Sequence, residues 1–182
     1  VAPLALLSVL LAGPVAASEA RPALWKVADE DTTIWLFGTV HALPADVAWY
    51  RGEVAIAFEG SDELVTEIDE VEPARMQAIV LDKAVLPKGA NLRGSLSPDQ
   101  RAKLETALKS LDLPPAMMDR FEPWYAAIAL ATLPIQRSGY VAGNGVEAVL
   151  ATRARTLGTP RGALETPEYQ LGLFDELPED VQ

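Results

Sequence analysis

The run Ile34-Trp35-Leu36-Phe37 sets four large, β-favouring side chains in succession, then breaks at Gly38-Thr39 two residues before His41, the one histidine of the chain. Aromatic and β-branched side chains suit a pleated surface and glycine interrupts it, so this run is a strand with a defined end. Side chains just past such an end lie where open α/β sheets hold their ligands. His41 is placed like a site residue. On spacing alone it also suits a satisfied residue at the rim of a core, the usual fate of a lone histidine beside an apolar strand.

The neighbouring runs give the strand its context. Ala23-Leu24-Trp25-Lys26-Val27 is a second β-type run, separated from the first by the polar Asp29-Glu30-Asp31, and the pair predicts a hairpin. Past His41 the chain turns at Leu43-Pro44-Ala45-Asp46, with Asp46 as candidate cap of a helix carrying Val47, Tyr50, Val54 and Phe58. Gly60-Ser61-Asp62 ends that helix, and Glu63-Leu64-Val65-Thr66-Glu67-Ile68-Asp69 is the next strand. A helix between two strands is the βαβ pattern, which favours parallel pairing. The expected fold class is therefore mixed α/β: an N-terminal β-hairpin leading into a partly parallel sheet with a βαβ unit, followed by a helix-rich segment.

Alternation along the third strand puts Leu64, Thr66 and Ile68 on one face and Val65, Glu67 and Asp69 on the other. Glu67 thus arrives near the strand's carboxyl end among apolar neighbours. A carboxylate buried there needs a cation or an arginine to stay ionised; at a solvated strand exit it needs nothing.

The helical remainder is punctuated. One helix is expected over residues 73–82, and Ser97-Pro98-Asp99-Gln100 is a capping box opening a helix with Leu104, Leu108 and Leu111 on one face, stopped by Pro114-Pro115. A further helix starts near Met117 and runs towards Leu133-Pro134; Gly143-Asn144-Gly145 opens another over residues 146–156, closed by Gly158. Gly162-Ala163-Leu164-Glu165 is a short strand entering a last helix, and Glu165, like Glu67, is an acid at a strand end.

Composition narrows the chemistry. A formal charge of −11 argues against nucleic acid or an anionic membrane surface as partner, since both would repel the chain. No cysteine is present, which removes disulfides, thiolate metal sites and a catalytic thiol together. Residues 1–17 are small and apolar, close with Val15-Ala16-Ala17, and lack a starting Met; they suit a partial signal peptide, with a membrane anchor as the alternative. Export to the periplasm or cell envelope is the expectation, with no integral span after cleavage. Residues 18–182 would then form one domain, expected to be truncated at its carboxyl end.

One imidazole and two carboxylates at strand ends are the minimum for a catalytic divalent-metal site with an open position for water. His41, Glu67 and Glu165 are the candidate catalytic and metal-ligating residues, with Gly38 and Thr39 in support. No His-Glu-x-x-His helix, Gly-x-Ser-x-Gly elbow or phosphate loop is present. A carboxylate-pair glycosidase built on Glu67 and Glu165 stays open, because sequence does not fix their separation.

Three stretches carry a resemblance: Leu24-Trp25-Lys26-Val27, Ile34 through Pro44 with its Gly38-Thr39-Val40-His41, and Asp62-Glu63-Leu64-Val65-Thr66-Glu67-Ile68. Together with Pro123-Trp124, Gly145-Val146-Glu147 and Leu164-Glu165-Thr166-Pro167-Glu168-Tyr169-Gln170-Leu171, which stand in the same order, they resemble TraB/GumN proteins, relatives of the Tiki metalloproteases. The resemblance implies a mixed α/β fold with a Gly-x-x-His motif at a strand end, and a hydrolase that cleaves peptides with a divalent metal such as manganese, cobalt or zinc. His41 matches the motif histidine, Glu67 the acid closing the next strand and Glu165 the later glutamate. The family pattern also has an arginine-containing segment and a second Gly-x-x-His, which this chain does not contain, so the chain by itself is expected to be inactive and a poor binder of metal. The alternative function is non-catalytic: an envelope protein that binds a signalling peptide or supports polysaccharide export.

Overall fold

The computed structural model describes residues 22–182; the expected signal region, residues 1–17, lies outside the described residues. Asp29 makes the first turn. Its carboxylate accepts the backbone N–H groups of Asp31 and Thr32, the latter at 2.8 Å, so β1 (Leu24–Ala28) folds back on β2 (Thr33–Phe37). The two strands pair antiparallel, with Trp25 opposite Leu36 and Val27 opposite Ile34. These four side chains share the outer face and are all more than half exposed, whereas Leu24 and Phe37 on the other face pack into the core. The strand before His41 is therefore buried on one face only, not on both.

The mixed α/β class holds, with the strands of the described residues in two sheets. After α1 (Gly52–Glu59) comes β3 (Leu64–Ile68), whose parallel partner is β4 (Arg161–Glu165) and not β2. The β2–α1–β3 succession thus does not close into one sheet; the parallel crossover instead runs from β3 through all the intervening helices to β4. The helix expected from Asp46 begins only at Gly52, because Trp49 and Tyr50 turn inward ahead of it: Trp49 is buried, 5.8 Å from the Phe37 ring, and Tyr50 meets Phe58 edge-on.

The helices follow their sequence signals closely. They are α2 (Pro73–Lys83), α3 (Leu92–Ser95), α4 (Pro98–Ser110), α5 (Pro123–Arg137), α6 (Val146–Leu157) and α7 (Pro167–Asp175). At α4 both halves of the capping box form: Gln100 N–H donates to Ser97 Oγ, and Ser97 N–H to Gln100 Oε1. Gly158 closes α6 at φ 73°, a left-handed conformation that glycine adopts without steric cost. α5 starts later than expected, at Pro123, and runs through Pro134 to Arg137. α7 lies along α2, joined by Arg75 to Glu168 and by Lys83 to Asp175. Among the described residues, no helix is long and apolar enough to cross a membrane.

Among the described residues, two apolar clusters fill the interior. Trp49, Val54, Phe58, Val146, Leu150 and Ala154 form the first, between α1 and α6, with Leu24, Phe37 and Leu43 against it. Leu92, Leu108, Met118 and Ala126 form the second. The first lies directly beneath the histidine segment, and α6 belongs to it alone.

Candidate functional site

On leaving β2 the chain is strapped to the start of α6 by main-chain bonds. Val146 N–H donates to the Val40 carbonyl at 2.9 Å, and Leu43 and Val141 exchange N–H···O bonds of 3.3 and 3.1 Å. Asn144 adds a side-chain bond, Nδ2 to the Leu43 carbonyl. His41 lies between these fastenings. The approach is close enough that a Cβ at Gly145 would fall 2.2 Å from the His41 carbonyl oxygen, which only glycine permits. At Gly38, in contrast, a Cβ would meet Ala23 at no less than 3.8 Å. The glycine that space demands at this site is Gly145.

The strap brings three side chains together. Glu147, in the first turn of α6, sits where the helix's exposed N–H groups favour a negative charge. Its Oε1 accepts a hydrogen bond from Thr39 Oγ1 and lies 3.0 Å from His41 Nδ1. The His41 side chain is 79% exposed and that of Glu147 only 25%. A largely covered carboxylate thus faces the inner nitrogen of an imidazole whose outer edge meets solvent. Such a pair can present Nε2 to a proton, a cation or a polarised bond.

The two strand-end acids lie elsewhere. Glu67 is exposed on β3, with Gln170 Nε2 donating to its Oε2 at 3.4 Å. Glu165 closes β4 opposite Ile68, so it leaves the strand pair by the face opposite to that of Glu67. Among the described residues, no three histidine, aspartate or glutamate side chains stand together so as to hold a metal ion. His41, Glu67 and Glu165 are therefore not gathered by these residues into one ligand set. The residue that does reach His41, Glu147, stands in the sequence only within the Gly145-Val146-Glu147 stretch of the resemblance, with no role attached: an acid in the first turn of a helix is ordinary, and its partner is more than a hundred positions away.

A mixed α/β chain with a solvent-facing histidine held at a strand end, backed by a helix-borne carboxylate, is the class that fold and site define. The profile of the TraB/PrgY/gumN family matches residues 23–182, and the chain belongs to that family. Among curated proteins it is similar to an uncharacterized protein of Treponema pallidum (strain Nichols), 24% identical over 133 residues. That match covers 71% of this chain and 40% of the relative, so the chain spans well under two thirds of the relative's length. No solved structure matches the chain significantly.

Proposed function

We propose that the chain is part of an exported, divalent-metal-dependent hydrolase of the TraB/GumN type that acts on peptides, with His41 as a working residue of its site. The observation that carries this reading is the His41 imidazole, turned outward while its inner nitrogen faces Glu147 at 3.0 Å. Metal-binding histidines are commonly backed in this way by a carboxylate. The donor set among the described residues does not complete a metal centre, since Glu67 and Glu165 leave opposite faces of the β3–β4 pair. The reading therefore requires donors in addition to His41. A divalent ion would supply Lewis-acid activation; this chain's own residues position the imidazole, and Thr39 holds the carboxylate behind it.

The test is peptide hydrolysis by the full-length protein with manganese, cobalt or zinc added, compared with His41→Ala. Cleavage that needs the metal and is lost in the variant supports the proposal. No cleavage with any of the three ions, and no effect of His41→Ala, would sink it.

A second reading is favoured by the uncovered outer face of the hairpin, where Trp25, Val27, Ile34 and Leu36 lie exposed. In this reading the protein is a non-catalytic envelope component that binds a signalling peptide or supports polysaccharide export. Peptide binding unaffected by chelation and by His41→Ala would select it.

A further inference from the structure

We propose that the turn after α7, residues 176–182, is a proton-operated latch: it stays seated at the start of α5 while Glu122 is protonated, and swings away when Glu122, Asp175 and Glu179 are all ionised. What it opens is a cleft of about 410 Å³, lined by the loop from Leu86 to Ser95, by Glu122 ahead of α5 and by Glu179 of the turn.

The fastenings show which part can move. α7 is fixed to α2 near both ends, through Arg75 to Glu168 and through Lys83 to Asp175 at 3.4 Å. Beyond it that hold stops. Among the described residues, every hydrogen bond made by residues 177–182 runs back to residues 174–178, and no ion pair ties them to another element. The hinge is therefore Glu176, the cap of α7. Seating also carries a cost, because Gln182 Oε1 is buried without a donor.

The charges decide when it moves. Glu122 occupies the N-cap position of α5, where a carboxylate ordinarily gains from free helix N–H groups, yet its side chain makes no capping bond. The charges that act on it are of one sign, Asp175 from α7 and Glu179 from the turn. Lys83, the cation that α2 brings here, is engaged by Asp175, and the loop from Leu86 to Ser95 turns no titratable side chain to the cleft. Glu176 and Asp180, also in the turn, are exposed. Burial, and then the two neighbouring charges, push the Glu122 carboxyl above the ordinary glutamate range. When it does ionise, a new charge appears beside two like ones in a partly covered place. The turn yields, since it has no bond across the cleft to resist.

The experiment uses the 182-residue chain, which has no cysteine of its own, with spin labels on Ala102→Cys in α4 and Val181→Cys in the turn. Both positions are exposed and uncharged. Pulsed electron paramagnetic resonance reads the distance between the labels from about pH 4.5 to about pH 8, across and above the ordinary glutamate range, with circular dichroism at each pH reporting the folded state. One short distance should dominate at the acid end, and a longer one should grow in as pH rises, with a midpoint above that of an ordinary glutamate. Glu122→Gln, which cannot ionise, should keep the short distance throughout. Glu179→Gln, at an exposed position, should cut the long-distance population at the alkaline end by roughly half or more, and it keeps the test open where Glu122→Gln does not fold. A wild-type distance that is the same at every pH overturns the proposal. So does a pH-dependent distance that survives in folded Glu122→Gln, or one that Glu179→Gln leaves untouched.

Discussion

Gly145 and the carbonyl of His41 are in such close approach that the two backbones leave no room for a methyl group: a Cβ at position 145 would lie 2.2 Å from the carbonyl oxygen and 2.6 Å from its carbon. Neither chain can yield cheaply, since Val146 N–H is bonded to the Val40 carbonyl and Leu43 to Val141. Gly145→Ala should therefore push the histidine segment off α6 and cost about 1–3 kcal/mol, in the range of overpacking substitutions. Urea unfolding measures the loss, and the His41 imidazole signals should shift with the displaced segment. An unchanged midpoint would mean that the close approach is relaxed in solution.

His41→Ala should leave the thermal midpoint where it is, because a side chain 79% exposed contributes little packing. Differential scanning calorimetry on both chains checks this. A large drop in Tm would recast His41 as a structural residue and remove the basis for reading it as a site.

Leu108 lies on α4 with none of its surface exposed, inside the second cluster with Leu92, Met118 and Ala126. Leu108→Ala should cost about 2–5 kcal/mol, the transfer loss plus the cavity left behind. The site belongs to the other cluster, so the His41 spectrum should be unchanged in conditions where the variant remains folded. Loss of both together would show that the two clusters unfold as one unit.

Two acids set opposite slopes in the dependence of stability on pH. The Arg93 guanidinium bonds both oxygens of Asp119 at 2.6 Å and holds that carboxyl below its ordinary value. A depressed folded pKa contributes stability above the unfolded value, about 3.9, and loses it as pH falls through the folded one. Glu122 is shifted upward, chiefly by burial and then by the charges of Asp175 and Glu179. Its folded state binds the proton more tightly than the unfolded chain does, so stability declines as pH rises from the unfolded value through the folded one. Asp119→Asn should flatten the acid limb of a urea-midpoint profile, whereas Glu122→Gln should raise the midpoint at neutral pH. A neutral-pH midpoint lowered by Glu122→Gln would contradict this assignment.

Trp124 is buried, stacked 5.8 Å from Phe174, and its Nε1 has no hydrogen-bond partner among the described residues. A buried donor without a partner is itself a cost, so Trp124→Phe should lose less than its lost volume suggests. Chemical denaturation of the variant tests this, and a loss beyond about 3 kcal/mol, typical of removing an aromatic ring altogether, would show that Nε1 has a partner.

Elements whose signals are local were legible in the sequence. Ser97 and Gln100 specify their capping box within four residues, Gly158 its left-handed cap, and the polar Asp29-Glu30-Asp31 its hairpin turn. Alternation in β3 also held, with Leu64, Thr66 and Ile68 half-buried and Val65, Glu67 and Asp69 exposed. What failed depended on distant partners. Asp46 looked like a cap, but burial of Trp49 against Phe37 delays α1 to Gly52; β3 looked like a partner for β2, but its neighbour is β4. At the site, His41 and Thr39 were visible as a strand end, whereas Glu147 was visible only within the Gly145-Val146-Glu147 stretch and not as their neighbour, because only the docking of α6 beside that strand brings it there.

The strap between Val40 and Val146 is made by a carbonyl and an N–H, so the Val40 side chain takes no part in the docking and stays 52% exposed. In a chain without a single cysteine, that position is open to a unique chemical handle. Val40→Cys would carry a spin label or fluorophore directly beside the imidazole while leaving its fastening intact, which makes the neighbourhood of His41 observable whatever molecule approaches it.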